Sequence, residues 1–305
     1  MLFGKIVLSL ALLLVVARAA YPAFTRHHAM EAEVAIERNE SGIRVGMEPF
    51  TLGSGDTVLL FIHGFASGPS VFRLMAPMLA EDGFECRVLR LPGFGEPMER
   101  IRKVTESDWR RTVSDEVERT TKEGKRIWLV GHSMGGTLAL DYALSNPNRV
   151  EGLILLAPMI KVSARRSLGL PPQWMQRVGS AFLSKDTILE TAFPVDLNAR
   201  SDDLDELRDH FLPISMYDEL FRIGARIKGR GEGLNLPVFL VLPGSDRVVS
   251  RRASRAYFST IASEHKELLV VPRAAHVVPL DYGWEDVTER VKNFITTDAQ
   301  RGVPL

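Results

Sequence analysis

The length of 305 residues suffices for one large domain with an insertion or for two small domains, with a sizeable hydrophobic core in either case. Lysine plus arginine and aspartate plus glutamate both total 38, without a long block of one sign, so the electrostatic footprint of a nucleic-acid-binding protein is missing. The single cysteine, Cys86, excludes an internal disulfide and a multi-cysteine metal site, and its strand-like surroundings predict a small buried hydrophobe.

The first 24 residues do not resemble part of a folded domain. Lys5 precedes an apolar stretch over 6–17, and Ala17-Arg18-Ala19 then forms an A-x-A arrangement. This order of basic, apolar and small residues is typical of a secretory signal peptide. A membrane anchor is the alternative, although Arg18 interrupts a stretch shorter than the roughly 20 residues of a usual span. We therefore predict an exported protein, periplasmic or secreted, or a membrane-anchored one, and leave cleavage of the segment open.

Three strand-like segments begin the folded part. Residues 32–38 and 43–52 flank a turn over 39–42, which predicts a hairpin at the antiparallel edge of a sheet. Residues 57–62 form a continuous apolar run, typical of a strand buried on both faces. The run ends in His63-Gly64-Phe65, where backbone N–H groups would point into a site at the carboxyl end of the strand. The Phe65 N–H is therefore a candidate oxyanion donor; the alternative is that His63 and Gly64 only shape the turn.

The stretch around residue 133 carries the most informative motif. An apolar run over 127–130 predicts a strand, and the pattern over 134–143 predicts a helix. Between them, Gly131-His132-Ser133-Met134-Gly135 fits G-x-S-x-G, in which small residues let the backbone turn sharply and expose the serine hydroxyl. Ser133 is therefore a candidate nucleophile, and the Met134 N–H is a candidate oxyanion donor at a helix start. The alternative is a glycine-rich turn with an idle serine.

Strands alternate with helices from residue 57 to residue 157. Further strands are predicted over 85–89 and 150–157, and a helix that Ser107 would cap is predicted over 108–122. This alternation predicts an α/β fold with a doubly wound, mostly parallel sheet. We assign residues 25–157 to the first part of this core.

The rhythm stops over 158–235, which we interpret as a small helical cap inserted into the core. Apolar stripes at helical spacing predict helices that face the rest of the protein, namely Trp174, Met175, Val178, Phe182 and Leu183 in one stripe and Met216, Leu220, Phe221 and Ile223 in another. Such a cap would bury apolar substrate surface and exclude water. The basic residues Lys161, Arg165 and Arg166 predict a solvated face, with contact to anionic lipid head groups as the alternative.

The strand-helix rhythm resumes over 236–305, the predicted second part of the core. A strand over 237–242 leads into a turn that ends at Asp246, just past the carboxyl end of the strand. A helix over 251–261, a strand over 267–271 and a closing helix over 286–295 follow. His276 lies in the loop after the last strand.

Ser133, Asp246 and His276 occur in this order, each after a predicted strand. A serine hydroxyl is a poor nucleophile at neutral pH, so acyl transfer needs a base and a carboxylate that holds the base in the right tautomer. Serine, acid, histidine is the order found in α/β-hydrolases. Asp281 is a rival acid that we rank as structural because it lies past His276. No His/Glu pair has the spacing of metal ligands on a helix, so neither a metal nor another cofactor is expected.

These motifs resemble those of the α/β-hydrolase family over about residues 56–295. Most similar are bacterial carboxylesterases and monoacylglycerol lipases with a small helical cap, on the evidence of four stretches: Gly131-His-Ser-Met-Gly-Gly, His63-Gly-Phe, Pro243-Gly-Ser-Asp246 and His276-Val-Val-Pro-Leu-Asp281. The resemblance implies Ser133 as nucleophile, Asp246 and His276 as its partners, and Phe65 and Met134 as oxyanion donors. It also implies activity on esters of short to medium acyl chains.

The sequence thus predicts a serine hydrolase that cleaves carboxylic esters through an acyl-enzyme on Ser133. An acyltransferase, thioesterase, amidase or C–C bond hydrolase could use the same three residues, and a non-enzymatic binding protein is a third reading. The expected partner is a small-molecule ester with an apolar acyl chain, and no nucleic acid is expected. Membrane association through the N-terminal segment follows from the anchor alternative, and the oligomeric state stays open.

Overall fold

The structure is a computed structural model that describes residues 2–166, 172–191, 194–199 and 208–301. In chain order its strands are β1 (Phe50–Leu52), β2 (Thr57–Ile62), β3 (Glu85–Val88), β4 (Arg126–His132), β5 (Gly152–Leu156), β6 (Ile188–Glu190), β7 (Phe211–Pro213), β8 (Val238–Pro243) and β9 (Lys266–Val271). Its helices are α1 (Leu2–Val34), α2 (Met75–Glu81), α3 (Met98–Ile101), α4 (Glu106–Lys122), α5 (Met134–Ser145), α6 (Pro172–Phe182), α7 (Ile214–Arg226), α8 (Arg251–Thr260) and α9 (Trp284–Arg301).

The centre of the fold is a seven-stranded sheet in the order β1-β3-β2-β4-β5-β8-β9. β1 runs antiparallel to β3, and every other neighbouring pair is parallel. The chain leaves β2 toward β3 on one side and returns to β4 on the other. The carboxyl ends of β2 and β4 therefore flank the point where the strand order reverses, which is where open α/β sheets form their sites. The predicted doubly wound, mostly parallel sheet is confirmed.

The core lies on both faces of this sheet. All residues of β2, β5 and β8 are buried, as their continuous apolar runs predict for strands covered by helices on both sides. Cys86 in β3 is also fully buried, and burial raises the pKa of its thiol to about 12. The cysteine is thus a small buried hydrophobe, as predicted, and its thiol is unreactive.

The segment before β1 differs from the predicted hairpin. α1 runs to Val34, and Arg38 pairs with Arg44 only as an isolated bridge, so no strand forms over 32–38. The Arg38 guanidinium instead donates to the carbonyl oxygens of Gly42, at 3.1 Å, and Gly95, at 2.8 Å. These contacts hold the segment against a loop of the core, so its backbone closes a turn and does not extend along the sheet edge.

Helix α1 includes residues of the predicted leader over 1–24 and extends beyond them. It continues without a break through Ala17-Arg18-Ala19 and on to Val34. Thr25 and Ala29 in its second half are buried, and the helix contacts β6. Among the described residues, no helix combines the length and the apolar character needed to cross a bilayer.

The N-cap of α4 is Thr105 and not Ser107, the residue that the sequence predicts. The helix begins at Glu106, so Ser107 lies inside it and Thr105 precedes its first turn. The Asp108 carboxylate accepts hydrogen bonds from the N–H of Thr105, at 3.0 Å, and from its hydroxyl, at 2.7 Å. Thr105-x-x-Asp108 is a variant of the capping box, a signal that was present in the sequence.

Residues 158–235, the predicted cap, contain α6, α7 and a two-stranded sheet of β6 and β7 that is separate from the main sheet. α7 contacts α4 and α5 and buries Met216 and Ile223, as its apolar stripe predicts. α6 contacts α7 and leaves Trp174 and Phe182 exposed, contrary to the prediction for the other stripe. The side chains of Met175 and Val178 lie outside the described ones. The two stripes differ because α7 lies directly on the core helices α4 and α5, whereas the described residues of α6 pack mainly against α7.

Candidate active site

The sharp turn between β4 and α5 holds Ser133 in a backbone conformation that few residues adopt. Ser133 has φ +53° and ψ −115°, outside the regions favoured by L-amino acids. The turn brings the helix close to β2: a Cβ atom on Gly135 would lie 1.9 Å from the carbonyl oxygen of Ile62. Likewise, a Cβ on Gly131 would lie 2.5 Å from the backbone of Gly135. The two motif glycines are therefore required by backbone contact, and the strain at Ser133 is typical of functional turns.

The structure brings together the three side chains that the sequence singled out. His276 Nε2 lies 2.8 Å from the Ser133 hydroxyl oxygen, and His276 Nδ1 lies 3.0 Å from Asp246 Oδ2. Because Nδ1 faces a carboxylate, it carries the ring proton, and Nε2 is left to accept the serine hydroxyl proton. All three residues are buried, although they come from the ends of three different strands. This arrangement can draw the proton from the hydroxyl when Ser133 attacks an electrophile.

The surroundings of Asp246 keep its carboxylate charged. Its other oxygen, Oδ1, accepts hydrogen bonds from the N–H groups of Val248, at 2.7 Å, and Val249, at 2.8 Å. Burial acts to raise the pKa of the Asp246 carboxyl, but the charge and hydrogen bond of His276 and these two N–H groups hold that pKa below its usual range. The carboxylate is consequently available to orient His276 and to stabilise its imidazolium form.

The turn after β2 contains the second predicted oxyanion donor. It lies against the sharp turn at Ser133 between β4 and α5, which we call the elbow. A Cβ atom on Gly64 would lie 3.1 Å from Ser133 Cβ, so the backbone here passes close to the serine. Phe65 follows Gly64 directly, and Met134 begins α5 directly after Ser133. The two predicted donor residues thus come from turns that meet beside the hydroxyl.

His63 does more than the sequence indicated. Its Nδ1 donates to the carbonyl oxygen of Gly64, at 2.8 Å, and its Nε2 accepts the N–H of Leu91, at 3.0 Å. Burial is the main cause that lowers the pKa of this histidine to about 4, and the charge of Arg90 lowers it further. Neutral His63 therefore fastens the turn before Phe65 to the loop after β3. The histidine after an apolar strand was visible in the sequence, but its distant partner Leu91 was not.

His132 supports the loop that carries His276. Its Nε2 donates to the backbone carbonyl oxygen of His276, at 3.0 Å, and the two rings lie 5.0 Å apart between centroids. Burial, followed by the charge of His276, lowers the pKa of His132 to about 3, so it stays neutral. These contacts give His132 a structural role. Among the described residues, its buried Nδ1 has no hydrogen-bond partner.

The carboxylate of Asp281, the rival acid, is hydrogen-bonded to backbone N–H groups. Its carboxylate oxygens accept the N–H groups of Asn198, Ala199, Ala275 and Tyr282 at distances between 2.6 and 3.0 Å. Asn198 and Ala199 belong to the inserted segment, and Ala275 precedes His276. Asp281 therefore joins the insertion to the loop of the histidine.

The inserted segment also contacts the turn after β2. The ring of Tyr217, in α7, lies 5.1 Å from the ring of Phe65, which in turn lies 5.7 Å from that of Phe94. Asp209 donates its N–H to Ala66, at 3.3 Å, and accepts the N–H of Gly95 on its carboxylate, at 3.0 Å. Apolar rings from the insertion and the core therefore meet next to the elbow.

Some long-range polar contacts had no local signal in the sequence. The buried carboxylate of Asp141, in α5, pairs with Arg110 of α4 at 2.7 Å and with Arg226 of α7 at 2.9 Å. This pairing fixes the insertion to the core on the helix that follows the elbow. Throughout the described ranges, no group of three or more histidine, cysteine, aspartate or glutamate side chains is placed to hold a metal ion.

Comparisons with known proteins agree on the kind of protein. Residues 53–282 match the sequence profile of a family described as serine aminopeptidase, S33. The thermostable monoacylglycerol lipase of Bacillus sp. (strain H-257) is 26% identical over 258 residues, which cover 83% of this chain and 96% of the lipase. The carboxylesterase of Bacillus subtilis (strain 168) is 21% identical over 81% of this chain and 96% of its own length.

Solved structures support the fold. The monoacylglycerol lipase of Paleococcus ferrophilus superposes with a TM-score of 0.71 at 18% identity, over 82% of this chain and 98% of the lipase. At this level of identity the likeness concerns the fold alone. The α/β-hydrolase architecture expected from the sequence is thereby confirmed.

Proposed function

We propose a mechanism and a substrate class for this chain, which belongs to the serine aminopeptidase S33 family of α/β hydrolases. It is a hydrolase of the lipase and esterase type, as its relatives are. Within that type, we infer that it is a serine carboxylesterase of the monoacylglycerol lipase kind. The acyl group of the substrate is transferred first to Ser133 and then to water.

One observation carries this proposal: the hydrogen-bonded chain from Ser133 through His276 to Asp246. The two distances, 2.8 Å and 3.0 Å, join residues that are 143 and 30 positions apart in sequence. In the proposed reaction His276 Nε2 takes the hydroxyl proton while Ser133 Oγ attacks the ester carbonyl carbon. Asp246 holds the ring in the reactive tautomer and stabilises the imidazolium.

The remaining steps use the same groups. The oxygen of the tetrahedral intermediate accepts hydrogen bonds from the Phe65 and Met134 N–H groups, where the start of α5 also favours negative charge. The imidazolium of His276 gives its proton to the leaving alcohol, which departs and leaves the acyl group on Ser133. Water, deprotonated by His276, then attacks the carbonyl carbon of the acyl-enzyme. The bond from that carbon to Ser133 Oγ breaks, His276 returns the proton to Oγ, and the carboxylic acid is released.

The substrate class follows from what surrounds the serine. Phe65 and Tyr217, packed on the buried ring of Phe94, form an apolar wall at the elbow, which suits an acyl chain better than a charged group. We propose that residues 158–235 act as a cap over this wall. The names of the two Bacillus relatives, a monoacylglycerol lipase and a carboxylesterase, support esters of glycerol or of simple alcohols.

The test replaces the nucleophile. Ser133→Ala should lower kcat for p-nitrophenyl butyrate and for a monoacylglycerol by on the order of 10⁴–10⁶, because a methyl group cannot form the acyl-enzyme. Ser145→Ala, an exposed serine at the end of the same helix, is the matched control and should keep full activity. Hydrolysis that survives Ser133→Ala would refute the proposal. Product analysis with added glycerol as acceptor separates hydrolysis from acyl transfer.

A further inference from the structure

A second site lies beside the carboxyl end of β8. A cavity of about 680 Å³ opens there between α8 and the first residues of the inserted segment. Its lining includes Arg165, Arg251, Arg252 and Arg255, and we call it the arginine cleft. Asp246 belongs to the lining but neither Ser133 nor His276 does, so the cleft adjoins the site of the proposed hydrolysis and does not contain its nucleophile or its base.

The cleft is positively charged. Arg251, Arg252 and Arg255 lie on one side of α8 together with Ala256 and Ser259, at the spacing of a single helix face. Asp246 is the acidic residue in the lining, but both of its carboxylate oxygens already serve His276 and two backbone N–H groups. Four guanidinium groups therefore share one cavity with a single carboxylate, so that positive charge is in excess there.

These arginines differ from the buried and half-buried arginines that pair with carboxylates. Arg87 pairs with Glu85, Glu116 and Glu123, and Arg110 and Arg226 share Asp141. By contrast, in the described part of the chain no ion pair forms at Arg251, Arg252 or Arg255. Three arginines that have no ion pair and that line one cavity together have the charge pattern of an anion site.

Hydrogen bonds between residues 161–165 and 246–250 join the two segments that border the cleft. Arg165 donates from Nη1 to the carbonyl oxygen of Asp246, at 3.4 Å, which directs its side chain toward the cleft. The Ser250 N–H donates to the carbonyl oxygen of Lys161, at 2.8 Å, and Val162 pairs with Val249. These bonds fix the start of the inserted segment to the start of α8, whose dipole also favours an anion.

We propose that the arginine cleft binds a phosphate group, carried either by a soluble phosphate ester or by an anionic phospholipid. The guanidinium fork matches the oxygens of a phosphate in a bidentate manner, and several forks can bind one such group. The volume exceeds that of inorganic phosphate and leaves room for a glycerol-sized substituent. The ligand site is independent of the esterase proposal, because it uses none of the residues of that reaction except the backbone of Asp246.

The first experiment measures binding of inorganic phosphate and of glycerol 3-phosphate by titration calorimetry at constant ionic strength. The triple variant Arg251→Gln/Arg252→Gln/Arg255→Gln should bind glycerol 3-phosphate about tenfold more weakly than the parent chain, or worse. The matched control is Arg111→Gln/Arg222→Gln/Arg290→Gln. It removes the same charge at exposed arginines outside the cleft and should keep the parent affinity.

The second experiment separates the two sources of phosphate. Sedimentation with phosphatidylcholine vesicles, with and without phosphatidylglycerol, should show binding to the anionic vesicles alone if the source is a lipid. In that case the cleft variant loses the binding and the control variant keeps it. Binding to glycerol 3-phosphate without binding to vesicles assigns a soluble ester. All proteins in this experiment also carry Ser133→Ala, which prevents hydrolysis of the lipid. The binding result therefore does not depend on whether the esterase proposal is right.

A further variant adds a charge and removes no arginine. Ala256→Glu places a carboxylate in the cleft at an exposed helix position and should weaken binding as strongly as the triple variant. Equal binding by the cleft and control variants would overturn the proposal. So would the absence of binding in both the soluble and the vesicle experiments, or parent-like binding by Ala256→Glu.

Discussion

The elbow of Ser133 and the inserted segment over 158–235 meet at one edge of the sheet, yet they are specified in different ways. At the elbow, backbone contacts determine which residue fits, because the carbonyl oxygen of Ile62 leaves no room for a side chain at residue 135. In the insertion, side-chain contacts such as that between Tyr217 and Phe65 hold the segment in place. The backbone there is less crowded, since the nearest atom to a Cβ on Gly224 would be 3.5 Å away. We infer that the chemistry depends on the elbow and its partners, and that substrate choice depends on the insertion.

The largest effect that separates the two regions is expected from a pair of buried acids. Asp246→Asn should lower kcat by about 10⁴, because an amide favours the wrong tautomer of His276. Asp209→Asn, in the insertion, should change kcat by less than about tenfold, since its amide oxygen can still accept the Gly95 N–H. Ester hydrolysis by the two purified variants measures both values. Equal losses would show that the insertion is part of the catalytic machinery.

A pair of glycines gives the next effect. Gly135→Ala in α5 should lower the free energy of unfolding by about 3 kcal/mol or abolish folding, because the new Cβ collides with backbone at 1.9 Å. Gly224→Ala in α7 meets only ordinary contact with Met159 and should raise stability by up to about 1 kcal/mol through helix propensity. Urea denaturation of the two variants measures the difference. A stable, active Gly135→Ala enzyme would contradict the steric account of the elbow.

These contrasts explain how much the sequence could predict. The sequence predicts β2 and β4, and with them Ser133, Asp246 and His276, because apolar runs bounded by glycine and proline show where parallel strands end. The predicted first strand of the hairpin, over 32–38, is wrong because the Arg38 contacts with Gly42 and Gly95 override a local strand pattern. The exposed stripe of α6 and the partner of His63 depend on which elements lie side by side, which a local pattern does not contain.

The third contrast concerns acid stability, where the two regions should act in opposite directions. The pKa of His63 is lowered from 6.5 to about 4 in the folded protein. Between these values the unfolded chain binds a proton that the folded protein does not, so stability falls as pH falls. The pKa of Asp209 is raised, mainly by burial, from 3.8 to about 6, so over that window the folded protein binds the extra proton and stability rises as pH falls.

Substitutions at these two residues test the signs. His63→Gln should flatten the loss of stability between pH 6.5 and pH 4 by up to about 1.4 kcal/mol per pH unit. Asp209→Asn should steepen it, because the opposing proton uptake is removed. Urea midpoints measured across this range give both slopes. A His63→Gln slope that equals that of the parent chain would show that His63 is already protonated in the folded protein.

The central claim is that Ser133 is a nucleophile activated by His276, and covalent labelling tests it most directly. A fluorophosphonate probe followed by peptide mass mapping should place a single adduct on the peptide that contains Ser133. His276→Gln should abolish the labelling while the protein stays folded, because the hydroxyl then lacks its base. A folded, hydrolytically active parent protein that takes no label on Ser133, or takes it on another serine, would contradict the account.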